Sequence, residues 1–159
     1  MTEVIPFLFV GCELDSRKGY VDAYDIVVNC SKKIPFYTSA SQTGLRVPLE
    51  DTGDDEDNAV LDEVMPWLCP KIHAWLHEKK KVLIHCRMAQ SRSCTVITAY
   101  LIWRYASGKF RTLDEVTDFV RSRHKYAFCS GLNYEHFLMN WFDNIQQNGR
   151  HPQVITKVK

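Results

Sequence analysis

At 159 residues the chain has the size of one domain, so a single core and a single site are expected. Its 45% hydrophobic and 25% charged residues exclude general disorder, and 20 Lys plus Arg against 19 Asp plus Glu argue against a basic nucleic-acid binder. No apolar run reaches the roughly 18 residues of a membrane span, and the first residues lack the basic start of a secretory signal.

Residues 4–10 are apolar and end at Gly11, which predicts one short strand. Residues 24–29 carry the β-branched cluster of a buried strand, closed by the polar stretch 29–33. A third strand is expected over 45–49, with Pro48 placing it at an edge or close to its end. Residues 50–57 read as an acidic loop turning at Gly53. Between Asn58 and Lys79, Leu61, Val64, Met65, Leu68, Ile72, Trp75 and Leu76 recur at helical spacing; Pro66 and Pro70 are expected to kink or divide that helix. Residues 81–85 form a compact strand, and a second helix starts around Ser91 and runs to about Tyr105. Thr112 and Glu115 make a capping box for a helix continuing to Arg123. A last amphipathic helix uses Leu132, Phe137, Leu138, Trp141 and Phe142, so the domain is placed at residues 1–145 and a basic C-terminal tail at 146–159. Strands alternating first with loops and then with helices imply an α/β layer in which helices cover a short sheet.

The stretch that carries chemistry is 82–93. A buried strand delivers Cys86 into a tight loop, and a helix starts directly afterwards. Backbone N–H groups of such a loop, with the free donors of the helix N-terminus, form a concavity fit for an anion of phosphate size. Arg92 closes it with a planar fork of donors for two phosphate oxygens. The same field favours the thiolate of Cys86, which lies beneath the phosphorus as a nucleophile. Arg87, Met88, Ala89, Gln90 and Ser91 make up the wall that meets substrate. His85 is placed to order the loop, and Ser93 to hydrogen-bond the sulfur and ease its departure. A leaving alkoxide or phenolate also needs a general acid. Asp51 stands just after a strand end, thirty-five residues before Cys86, and is preferred over Asp54, Asp55 and Asp57 in the same acidic run.

This pattern resembles the Cys-dependent protein tyrosine phosphatase superfamily and, within it, the small single-domain dual-specificity phosphatases. The signature His-Cys-x5-Arg-Ser stands as His85-Cys86 and Arg92-Ser93. Residues 4–11, Asn29, residues 47–51, residues 95–101 and residues 119–123 are similar to further family phrases, so the resemblance covers about 3–143. It implies a protein tyrosine phosphatase-like fold, with a short, mixed and mostly parallel central sheet flanked by helices. It further implies hydrolysis of phosphotyrosine, with phosphoserine and phosphothreonine, in proteins. Cys86 forms a phosphocysteine, Asp51 acts as acid and then base, and Arg92 supports the charge in both steps. No metal or organic cofactor is implied. The partners are phosphorylated proteins, no nucleic acid is expected, the oligomeric state stays open, and the location is cytoplasmic, with the nucleus also open.

Some residues depart from the family pattern. Ala89 stands where Gly is usual and Met88 where Ala is frequent; should position 89 need a positive φ, Ala costs about 1–2 kcal/mol. Phe128-Cys129-Ser130 replaces a Pro-Asn phrase, leaving Ser130 or Cys129 to take over the support of the loop. Ala89 and Met88 motivate one rival, a module that binds phosphorylated partners but turns them over slowly; another is a phosphoinositide or RNA 5′-phosphatase, whose relatives tend to carry more cations by the signature loop than Arg87 beside an acidic stretch. Arg87 either meets a second acidic group of the substrate or pairs with the acidic loop. Cys69, His73 and His77 repeat at four-residue spacing like metal ligands, but Pro70 and the incomplete set favour a helix flank. The six cysteines read as reduced thiols, with a Cys86–Cys94 disulfide as a lesser alternative. Trp75, Trp103 and Trp141 follow apolar stripes and are assigned to the core.

Overall fold

The computed structural model describes residues 1–150, so the part of the expected 146–159 tail beyond residue 150 lies outside the described residues. Five short strands form one sheet: β1 (Thr2–Ile5), β2 (Leu8–Gly11), β3 (Ile26–Asn29), β4 (Thr43–Arg46) and β5 (Val82–His85). Their spatial order is β1-β2-β5-β3-β4, with β1 antiparallel to β2 and every other pairing parallel. Strand β5 is buried at all four positions and takes the centre, as expected of a parallel strand covered on both faces. Gly11 and Asn29 both align with His85, so three chains leave the same sheet edge side by side at their carboxyl ends. Parallel α/β sheets bind ligands outside that edge.

Helices α1 (Asp55–His77), α2 (Arg92–Arg104), α3 (Leu113–Arg123) and α4 (Glu135–Asn148) complete the fold. Every residue of α2 from Ser93 to Trp103 is buried, because α1, α3, α4 and the sheet all pack against it. A helix buried all round, with only Ser93, Thr95 and Thr98 as polar residues between its charged ends apart from the Tyr100 hydroxyl and the Trp103 indole N–H, takes such a position. The opposite face of the sheet carries a smaller cluster of Phe9, Val21, Tyr24, Val27 and Leu83, with Phe36 against it.

Several expectations need correction. The first apolar segment is a hairpin, not one strand: Pro6 cannot donate to a ladder, Phe7 takes φ 72°, and its N–H donates to Glu3 Oε2 at 2.9 Å. The strand expected over 45–49 ends earlier, as edge strand β4; Val47 N–H still donates to Asn29 at 2.8 Å, and Pro48 then ends the pairing. Helix α1 is continuous through Pro66 and Pro70, because both face solvent while Leu61, Met65, Leu68, Cys69, Ile72 and Leu76 hold the other side in the core. Helix α4 continues to Asn148, past the domain end placed at 145, and Arg150 Nε donates to the Trp103 carbonyl at 3.2 Å. At α3 the Thr112 hydroxyl accepts from Glu115 N at 3.2 Å, while the Glu115 carboxylate reaches back to Arg111 N at 2.7 Å, one residue earlier than a capping box predicts.

Candidate active site

Strand β5 ends at His85, and residues 86–91 turn back into α2, which begins at Arg92. All described peptide bonds are trans. In a planar trans peptide the N–H of one residue points opposite to the preceding C=O. Where the loop carbonyls are held therefore decides where its amides aim. Glu13 N–H holds the Arg87 carbonyl at 3.0 Å, and Phe128 N–H holds that of Gln90 at 2.7 Å. His124 Nε2 holds the Ala89 carbonyl at 2.7 Å, and His85 Nδ1 lies 3.4 Å from the Cys86 carbonyl. These partners lie outside the loop, so the N–H groups of residues 87, 88, 90 and 91 turn to its other side. That makes the amide cradle expected from the sequence. Ala89 does take the positive φ, 59°.

Cys86 is 2% exposed, and its Sγ lies 3.2 Å from Ser93 Oγ, on the first turn of α2. Burial pushes the thiols of Cys30 and Cys94 well up, which keeps both protonated. All six cysteines are free, so the Cys86–Cys94 disulfide is absent; Cys94 Sγ instead donates to the Ala89 carbonyl at 3.4 Å. The His85 ring is fully buried, and desolvation outweighs its carbonyl partner to lower its pKa, so it stays neutral. Arg92 Nη1 donates to the Leu49 carbonyl at 3.1 Å, which anchors one edge of the guanidinium; its Nε is buried without a hydrogen bond, 4.0 Å from Asp51 Oδ2.

The acidic run is sorted by its surroundings. Asp54 caps α1, accepting from Asp57 N at 3.0 Å. Asp57 is 1% exposed and accepts from the amides of Glu50, Asp51 and Thr52 at 3.0–3.3 Å and from the Tyr134 hydroxyl at 2.8 Å. Its burial alone would raise the carboxyl pKa; the amides and the hydroxyl outweigh that and hold it below the ordinary value. Asp57 is thus the internal brace of the loop. Asp55 is exposed on the first turn of α1. Asp51, at φ 73°, projects instead beside Arg92, and Asn133 Nδ2 donates to its Oδ1 at 3.3 Å.

One cleft of about 150 Å³ gathers Asp51, Cys86, Arg87, Met88, Gln90, Ser91, Arg92, Ser130, Gly131 and Asn133. Ala89 is not on its wall; it faces the neighbouring hollow beside His124. Arg87 is exposed, lines this cleft and an adjoining groove with Lys32 and Lys33, and makes no ion pair to the acidic loop among the described residues. The expected substitutes for the missing Asn do not support the loop: Cys129 is exposed and Ser130 lines the cleft, while His124 and the Phe128 amide hold the carbonyls. Sequence reasoning missed His124, Asn133 and Tyr134, which follow no local pattern and reach the site only through packing. Cys69 and His73 serve packing: the thiol is in the core, and His73 Nδ1 lies 3.1 Å from the Tyr100 hydroxyl and edge-on to Trp103.

A profile described as "Dual specificity phosphatase, catalytic domain" matches residues 9–144. Human dual specificity protein phosphatase 2 is 32% identical over 125 residues, 76% of this chain and 37% of that protein. Human dual specificity protein phosphatase 1 is 28% identical over 124 residues, 76% of this chain and 32% of that protein. The chain thus spans about a third of the length of these curated relatives. Human DUSP28, at 23% identity, matches with a TM-score of 0.76 over 92% of this chain and 99% of that one, which shows a shared protein tyrosine phosphatase-like fold. With signature, fold and a profile that takes in most of its length in agreement, the chain belongs to the dual specificity phosphatase catalytic-domain family.

Proposed function

We propose that the chain is a protein phosphatase that hydrolyses phosphotyrosine, with phosphoserine and phosphothreonine, through a phosphocysteine. The observation that carries this reading is the convergence of Cys86, Arg92, Asp51 and the outward-anchored loop in one cleft. Substrate phosphate sits on the loop amides and the free edge of Arg92. Cys86 Sγ attacks phosphorus in line as the bond to the leaving oxygen breaks, and Asp51 gives that oxygen its proton. Water then attacks phosphorus, Asp51 takes a proton from it, and the sulfur leaves as a thiolate stabilised by the Ser93 hydroxyl. The amides and Arg92 stabilise the charge on the transferring group in both steps, so no metal or organic cofactor is needed.

Phosphorylated proteins are the proposed partners, and the cytoplasm the proposed location; a nucleophilic thiol and five further free cysteines suit a reducing compartment. A second reading gains from the groove beside the cleft, where Lys32 and Lys33 join Arg87 and Arg92 with Glu50 as the one acidic side chain. That supports substrates carrying a second anionic group, phosphoinositides included. The test compares a phosphotyrosine peptide, a phosphothreonine peptide, a phosphoinositide and a triphosphorylated RNA. Turnover of the peptides, abolished in Cys86→Ser, supports the first reading; preference for the lipid headgroup or the RNA replaces it. Peptide binding without turnover would leave only the binding-module rival.

A further inference from the structure

Ala89 holds a backbone conformation that costs an L-residue about 1–2 kcal/mol, at a loop position the cradle cannot spare. Its carbonyl is fixed by His124 Nε2 at 2.7 Å, and at 3.4 Å by the weaker donor Cys94 Sγ. A ring nitrogen facing a carbonyl must carry the proton, so Nε2–H is the donor. The other nitrogen, Nδ1, lies 3.2 Å from Thr2 Oγ1 in β1, which fixes the ring plane. The imidazole therefore spans from an edge strand to the loop, just past the end of α3, and also meets the Tyr126 ring edge-on at 6.0 Å.

We infer that His124 is a positioning residue of the phosphate cradle: its Nε2–H holds the Ala89–Gln90 peptide plane in the orientation that aims Gln90 N–H at the bound phosphoryl group. The inference rests on the phosphatase reading of the cleft. His124 does not line the cleft that holds Cys86. Without His124, the Ala89 carbonyl keeps only the thiol donor of Cys94, and any swing of that peptide removes one amide donor from the cradle and points a carbonyl dipole towards an anion. Cys94 alone does not prevent this, because a thiol is a weak donor. A swing of this peptide turns ψ of residue 89 while its φ stays positive, a combination open to glycine and strained for alanine, so glycine at position 89 would raise the need for His124.

The experiment compares the full chain with His124→Ala, His124→Gln, Ala89→Gly and the double variant Ala89→Gly/His124→Ala. Three quantities are read: kcat/KM on an aryl phosphate, tungstate affinity by calorimetry, and Tm. Expected is a loss of about tenfold in both kcat/KM and tungstate affinity for His124→Ala, the scale of one lost hydrogen bond. His124→Gln, which keeps an N–H donor at similar reach, should stay within about threefold of the parent. In the Ala89→Gly background, where the peptide turns more easily, the same alanine change should cost more than about tenfold. A His124→Ala protein that melts lower yet binds tungstate like the parent overturns the inference, as does a glutamine variant no better than alanine. Should His124→Ala fail to fold, the glutamine variant and the glycine background carry the same comparison. If the parent neither binds tungstate nor hydrolyses the aryl phosphate, the phosphatase reading fails instead.

Discussion

Asp51 and Asp57 are both carboxylates of one loop, and their partners separate them. Asp57 receives three amides and a phenol and is closed off from solvent. Asp51 has one amide side chain and a distant guanidinium, and it faces the cleft with its side chain 37% exposed. A proton donor needs access to a leaving group, and of the two only Asp51 lines the cleft. Asp51→Asn should lower kcat about 10²–10³-fold for a phosphopeptide with a poor leaving group, and far less for an activated aryl phosphate. Steady-state kinetics on the two substrates check this; an equal, small effect on both would remove Asp51 from the role. The sequence made Asp51 the first choice on its place beside a strand end. What it did not contain was Asn133, 82 positions later, which holds the carboxylate in place.

At the scale of elements, α1 carries two prolines that the periodicity alone could not reconcile with one helix. Each lacks an N–H and crowds the preceding turn, yet both stand on the solvent side while the opposite stripe is buried. Pro66→Ala should therefore stabilise the protein by at least about 1 kcal/mol, since an interior proline costs about 3 kcal/mol against alanine; urea midpoints at unchanged m-value check this. The acidic loop meets the segment before α4 at Gly53, whose φ is 71° and whose added Cβ would overlap the Asn133 carbonyl oxygen. Gly53→Ala should push the two segments apart, cost about 2 kcal/mol or more, and lower kcat/KM by detaching Asp51 from Asn133. An activity unchanged at lowered Tm would show that this contact supports the fold alone. Strand, helix and cap positions were readable because each follows from a local rule, as with Thr112 at the start of α3. The hairpin at Pro6 and Phe7 was not, because an apolar run does not reveal a turn whose residues are themselves apolar.

Across the whole molecule, stability and pH are linked through groups buried in fixed charge states. The Asp57 carboxyl lies below its ordinary value of 3.8, so the unfolded chain binds its proton first as the pH falls. The contribution of Asp57 is therefore complete above about pH 4 and is lost as the pH drops through the folded value. Burial lowers the pKa of His85 and His73 below 6.5, so the unfolded chain also takes up those protons first, and stability declines as the pH falls from about 6.5. Urea unfolding across pH 3–7 should show both declines. Asp57→Asn should cost about 2 kcal/mol at pH 7 and flatten the lower one, whereas equal slopes in parent and variant would remove Asp57 as its source.

The sequence by itself determined the α/β class, most elements and the central chemistry: a strand, a six-residue loop and a helix are contiguous, so Cys86, Arg92 and Ser93 are placed by local geometry. Tertiary structure alone decided which acid faces the cleft and what holds the loop carbonyls, and it brought Lys32 and Lys33 beside Arg87. Those choices join β1, the stretch after β3, the acidic loop and the segment between α3 and α4 across tens of residues. They depend on side chains packed in three dimensions, which no spacing along the chain encodes.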